Sequence, residues 1–314
     1  MVWTPTASIE LLKRRAHVLT SIRSFFDKKG YLEVETPYMA KHGVTDVHLR
    51  NIEARFREQT YYLQTSPEYH MKRLLAAGSG PIYQLARVFR DDEFGRWHNP
   101  EFTLLEWYQL GVDHFYLIDE IQQLFKSLCG IDSFKHLTYQ QAFEEACGIL
   151  PIEADILDLQ QVCKRYDLSD VLAPDESKDQ HLHLLMAMVV EPYLAKTYSN
   201  PVVVVEFPAS QASLAKVEGN IAHRFEIYWQ GVELANGFHE LTDVELQRQR
   251  FDTDLQLRHQ MGIPPMTIDE QFLSALTYGL PACSGVALGI DRLLALMFQQ
   301  DGISHVTSFS FPNL

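Results

Sequence analysis

Residues 89–108, Phe-Arg-Asp-Asp-Glu-Phe-Gly-Arg-Trp-His-Asn-Pro-Glu-Phe-Thr-Leu-Leu-Glu-Trp-Tyr, pack arginines, acids, a His-Asn-Pro turn and aromatic rings into twenty positions. Arg90 can grip phosphate oxygens through a bidentate fork, and Phe102 offers a face on which a nucleobase can stack. A solvated hairpin can carry the same mixed charge, so the segment alone leaves both readings open. Further along, Glu226, Tyr228 and Glu233 alternate within a hairpin pattern that places all three on one side of a sheet. Two carboxylates about 4 Å apart repel by roughly 4 kcal/mol at an effective dielectric near 20, so such a pair needs a cation, a shared proton or distance. Mg²⁺ held by one or two carboxylates and nucleotide phosphates fits that need; glutamates on the wet face of a surface strand are the plain alternative. Near the end, Ser284 to Leu294 passes from a glycine-spaced strand into an apolar helix. Gly285 and Gly289 would let a ligand approach the backbone closely. Arg292, in the first helical turn, would add a second clamp for a triphosphate already gripped by Arg90.

The elements around these residues follow from spacing. Ser8 is the expected N-cap of a helix whose apolar face is Leu12, Ala16, Leu19, Ile22 and Phe26, with Gly30 at its stop. Tyr31 to Pro37 reads as a strand closed by proline, and Pro67 to about Ala77 as a second helix. Ile82–Val88 and Phe102–Leu105 are apolar strands flanking the charged loop. Residues 111–200 are mainly helical in pattern, and roughly 133–200 reads as an inserted or peripheral helical region with few candidate site residues. Val202 to Phe207 is a β-branched run suited to a buried strand. Arg224 to Phe238 is a hairpin turning at Gln230-Gly231, which sets Trp229 against Val232 and Tyr228 against Glu233.

Composition bounds the function. The chain has 314 residues, 46% hydrophobic and 22% charged, consistent with an ordinary globular enzyme of one large domain. Its net charge of −14 disfavours avid general binding of RNA, which is driven by neutralised phosphates. The basic clusters Lys13-Arg14-Arg15 and Lys72-Arg73 lie in helical patterns and read as solvated faces. The four cysteines show no zinc spacing and read as reduced thiols of a cytoplasmic protein. His181 and His183, two apart beside a helical run, do not make a metal pair. The longest apolar run, Leu184 to Val190, is too short to span a bilayer.

Taken in order, three of these stretches resemble the three motifs of the class II aminoacyl-tRNA synthetases: Gly30 to Pro37, Phe89 to Glu106, and Gly285 to Arg292. Arg96-Trp97-His98-Asn99-Pro100-Glu101-Phe102-Thr103 and Ala235-Asn236-Gly237-Phe238-His239-Glu240-Leu241 resemble stretches specific to lysyl-tRNA synthetases. The resemblance covers about residues 8–311 and is weakest after 133. Its departure is at the front, where those synthetases carry an anticodon-binding domain and motif 1 here begins at residue 30. Thr65 to Leu74 and Pro208 to Ala215 further resemble the short bacterial paralogues that modify elongation factor P. Ala287 stands where tRNA-charging enzymes carry glycine, as expected of a pocket for a longer amino acid.

The resemblance implies an α+β fold, an antiparallel sheet flanked by helices, and a homodimer. It implies ATP and Mg²⁺ as cofactors, and lysine, by preference (R)-β-lysine, activated as an adenylate and passed to a lysine side chain of elongation factor P, with tRNA an unlikely acceptor and no membrane involved. Arg90 and Arg292 would be the catalytic pair, with Asp91, Asp92, His98, Asn99, Phe102, Glu233, Leu234 and Gly289 also around ATP, and Glu226 and Glu233 holding the metal. Ser66, Pro67, Glu68, Glu106, Tyr108, Glu240 and Ala287 would form the lysine pocket. The competing expectations are a minimal lysyl-tRNA synthetase, a non-catalytic regulator of the same fold, and an ammonia-dependent asparagine synthetase. The last would not need a pocket this rich in acids.

Overall fold

In the computed structural model, residues 3–91, 94–173 and 176–313 are described, apart from the side chain of Pro312. Helix α1 (Ile9–Lys28) begins at Ser8, whose hydroxyl accepts a hydrogen bond from the Leu11 amide. It ends before Gly30, whose φ of 77° turns the chain into strand β1 (Leu32–Glu33). That strand is shorter than the span from Tyr31 to Pro37 that the sequence suggests. It pairs parallel with β5 only at Leu32 and Glu33, and Pro37 supplies no amide to extend the ladder. Strands β2 (Met39–Ala40), β3 (Glu53–Phe56) and β4 (Gln59–Leu63) form a separate sheet ordered β2-β4-β3. Helix α2 (Glu68–Ala76) leads into β5 (Ile82–Phe89) and β6 (Glu101–Leu110), an antiparallel pair that carries the charged loop at one end.

Next come α3 (His114–Cys129), β7 (Lys135–Thr138), α4 (Tyr139–Cys147), α5 (Ile156–Arg165) and α6 (Lys178–Leu185). A π-helical segment, Met186–Val190, joins α6 to α7 (Glu191–Thr197). Strands β8 (Val202–Pro208), β9 (Val217–Glu218), β10 (Ile221–Trp229) and β11 (Val232–His239) precede α8 (Val244–Gln260) and α9 (Glu270–Gly279). Strand β12 (Cys283–Gly289) and α10 (Ile290–Met297) follow.

The large sheet runs β1-β5-β6-β12-β11-β10-β8-β7, with β9 attached to β10. It is antiparallel throughout its interior and parallel only in the edge pairs β1–β5 and β7–β8. Strand β12 enters between β6 and β11, so stretches far apart in sequence become neighbours. One face is apolar: Leu105, Trp107, Val286, Leu288, Phe225 and Ile227 pack beneath residues of α1, α3 and α10 such as Phe26, Ile121 and Leu293. Alternation then sends Glu106, Ala287, Asn236 and Glu226 to the opposite face. A second core joins α4–α7 to β8 through Leu137, Phe143, Val190 and Val204. Cys129, Cys147, Cys163 and Cys283 are free thiols, the last three buried. Among the described residues no helix is long and apolar enough to cross a membrane.

Candidate active site

The polar face of the sheet is the floor of a cavity of about 1450 Å³. Gln84, Glu106, Ala287, Asn236 and Glu226 form one row across five adjacent strands. At about 4.8 Å per strand, Glu106 and Glu226 are roughly 14 Å apart along that row. Ser66, Glu68, Arg90, His98, Asn99, Phe102, Glu106, Tyr108, Glu226, Glu233, Leu234, Glu240, Ala287, Gly289 and Arg292 all line this one cavity.

Arg292 is the hub at one end. Its guanidinium donates to the Trp97 carbonyl (3.1 Å) and the Glu233 carbonyl (2.9 Å) and lies 2.5 Å from His98 Nε2. It thus ties the charged loop to the hairpin. The Arg90 guanidinium sits over the Phe102 ring, 5.1 Å from its centroid, so the face expected to meet a base carries a cation here. Asn99 spends its amide on the protein: Nδ2 donates to the Glu101 carbonyl and Oδ1 accepts from the Phe311 amide. Glu226 accepts from the Arg224 guanidinium and the Tyr228 hydroxyl. Burial, then Glu226, pushes the Glu233 carboxyl above the ordinary glutamate range. Two adjacent carboxylates, with no group of three metal-ligating side chains among the described residues, suit a hard cation shared with phosphates rather than one caged by protein.

The other end is acidic and nearly closed. Glu106 accepts hydrogen bonds from Ser66 Oγ (2.7 Å) and Tyr108 Oη (2.8 Å). Burial and the nearby Glu68 nevertheless push its carboxyl up to about 7. Glu240, 2% exposed, is pushed up by burial against the pull of Lys72. Lys72 is not on a solvated face: it is 1% exposed, with Nζ 2.6 Å from Glu68 Oε1 and 2.5 Å from Glu240 Oε2. Three carboxyl groups therefore face one ammonium, and the surplus is negative. Gly285 makes room for side chains of the pocket. A Cβ there would lie 2.2 Å from Tyr108 Cε1 and 2.5 Å from Glu240 Oε1. Gly289 leaves ordinary space, its nearest neighbour to such a Cβ being the Leu234 carbonyl at 3.6 Å.

Two expected residues do not join the cavity wall. Asp91 is exposed and its amide donates to the Arg50 carbonyl. Pro67 is buried as the N-cap of α2. Asp92 lies outside the described residues. Others were missed. Asn236 lines the cavity with Oδ1 buried and unbonded. A bulge at Leu234 puts Glu233 and Asn236 on the same face although they are three apart, which simple alternation conceals. Glu191, at the end of the π-helical segment, has its carboxyl pushed up to about 8 by burial and by Glu233 and Glu226. Asp179, Gln180 and His183 of α6 also reach the wall, from a stretch that offered few candidates by pattern. Arg15, like Lys72, is largely buried: it binds Asp291 at 2.5 Å and Thr103 Oγ1 at 2.9 Å.

The profile of the class II tRNA synthetases (D, K and N) matches residues 3–313. The chain belongs to that family. The stretches Phe89 to Glu106 and Gly285 to Arg292, which resemble class II motifs, run along the adjacent strands β6 and β12, so segments remote in sequence share one cavity, and β1, from the stretch Gly30 to Pro37, lies beside β5. Within the family the chain is similar to proteins named elongation factor P–(R)-beta-lysine ligase. The one from Vibrio vulnificus (strain YJ016) is 47% identical over 319 residues, 99% of this chain and 98% of its own. That of Edwardsiella ictaluri (strain 93-146) is 49% identical over 317 residues, 98% of this chain and 97% of its own. That of Vibrio cholerae serotype O1 is 48% identical over 319 residues, 99% of this chain and 98% of its own.

Proposed function

We propose that this protein uses ATP to activate a lysine, preferably (R)-β-lysine, and transfers it to the ε-amine of a specific lysine of elongation factor P, acting as a cytoplasmic homodimer. The observation that carries the reading is one cavity with an arginine clamp at one end and a buried surplus of carboxylates at the other. Glu68, Glu106 and Glu240 against the single ammonium of Lys72 leave a site that a cationic ligand would neutralise. The roughly 14 Å from Glu106 to Glu226 accommodates an extended lysine with its carboxylate directed at a nucleotide phosphate. The acceptor and the β-amino acid are supported by the relatives named for them, which match 98–99% of this chain.

In this reading the amino-acid carboxylate attacks the α-phosphorus of ATP, the bond to the β-phosphate oxygen breaks, and pyrophosphate leaves. Arg90 offsets charge at the α-phosphate, and Arg292 fixes the far phosphates and one face of the base; positioning and charge stabilisation are the whole of the catalysis. Mg²⁺, when bound by Glu226 and Glu233 with the phosphates, would neutralise phosphate charge. The acceptor amine, unprotonated, then attacks the adenylate carbonyl and AMP leaves. Amino-acid-dependent exchange of pyrophosphate into ATP tests activation: exchange with α- or β-lysine and none with leucine, glutamate or aspartate is expected. Exchange driven by aspartate, or by no amino acid, would sink the reading.

A further inference from the structure

Lys72 follows Glu68 by one turn of α2, and its ammonium bridges Glu68 and Glu240. The two carboxylate oxygens that it holds are therefore at most about 5 Å apart. Packing does not call for this charge. The other buried residues of α2 are Met71, Leu75 and Ala76, and an apolar chain of similar length would bury there without desolvating an ion. What the ammonium changes is the state of its partners. Without it, two carboxyls this close, Glu240 buried and Glu68 half-buried, would share a proton or swing apart. A protonated carboxyl is a poor acceptor for an incoming ammonium. Lys72 engages Oε1 of Glu68 and Oε2 of Glu240, leaving the second oxygen of each to the cavity that both residues line.

We infer that Lys72 is a positioning residue of the amino-acid pocket. It holds Glu68 and Glu240 at a set separation, so that an amino acid with two ammonium groups meets preset carboxylates. The inference rests on the proposed activation of a lysine. It assigns selectivity for a doubly cationic substrate to a side chain that does not touch that substrate.

The test is pyrophosphate exchange by Lys72→Met and Lys72→Ala, with KM measured separately for ATP and for lysine or β-lysine. KM for the amino acid rises by about tenfold or more, the loss expected when hydrogen bonds to charged groups are disordered, while KM for ATP holds. Propylammonium restores exchange in Lys72→Ala, where space is opened, and not in Lys72→Met, where it is filled. Thermal melts identify folded variants. Should neither fold, Lys72→Arg keeps the charge but displaces the carboxylates and gives the same one-sided rise in KM. An unchanged amino-acid KM in a folded variant, or equal rises for both substrates without rescue, overturns the role of Lys72. Absence of lysine-dependent exchange in the wild type overturns instead the activation reading on which it rests.

Discussion

Glu106 carries the sharpest prediction at the scale of single residues. Burial and Glu68 raise its carboxyl to about 7, above the ordinary glutamate value near 4.3. A carboxyl raised in the fold favours the native state while protonated. Its contribution is full below the unfolded value and is lost as pH rises through about 7. The ligand-free protein is therefore expected to melt at lower temperature as pH rises from about 5 to 7.5, and Glu106→Gln to flatten that slope. Added lysine should stabilise the wild type more at the upper end of this range, where Glu106 is ionised; calorimetry at several pH values decides it. For Arg292, which joins Trp97, His98 and Glu233, Arg292→Ala should cost about 10²–10³-fold in exchange, the loss typical of a removed charge-stabilising donor. Circular dichroism should stay native, and exchange within threefold of wild type would refute its place in the clamp. That Arg90, Phe102, Glu226, Glu233 and Arg292 would gather at one place was legible because arginine, aromatic and acidic residues at those spacings suggest a shared ligand, and all five line the cavity. Lys72 and Arg15 were not. A lysine or arginine in a helical charge run looks solvated until its partners are known, and Glu240 and Asp291 are supplied by remote parts of the chain.

At the scale of elements, β12 makes the site by entering between β6 and β11. Its two glycines should then behave differently. Gly285→Ala would drive a methyl into Tyr108 and Glu240, so a stability loss of about 1–3 kcal/mol and a raised KM for lysine are expected. Gly289→Ala meets only ordinary contacts and should leave the melting temperature nearly unchanged, with any loss confined to ATP. Denaturation and KM for both substrates check the pair; equal stability losses would contradict the packing described for Gly285. Helix α1, strand β8 and the β10–β11 hairpin were readable from local pattern, since capping, β-branching and the Gln230-Gly231 turn are local properties. The strand order was not, because β-pairing is decided by contacts that no short window contains. The bulge at Leu234, which brings Asn236 to the cavity, escaped for the same reason.

At the scale of the whole molecule, two quantities bear on the acceptor: a net charge of −14 and a match to relatives along nearly their full length. An acidic chain gains little from RNA phosphates, whereas a protein acceptor needs only to bring one amine to the cavity. The acidic pocket was visible as a set of carboxylates in the sequence, but its partial neutralisation by Lys72 emerged only from the fold. The most direct measurement is transfer itself. The protein is incubated with ATP, Mg²⁺ and (R)-β-lysine or α-lysine, together with elongation factor P or tRNA, and the products are read by intact mass and by acid-stable label. Elongation factor P should gain one lysyl group on a single lysine, faster with β-lysine and faster as pH rises across neutrality, while tRNA stays uncharged. Charged tRNA with no gain in mass on the protein acceptor would contradict the account.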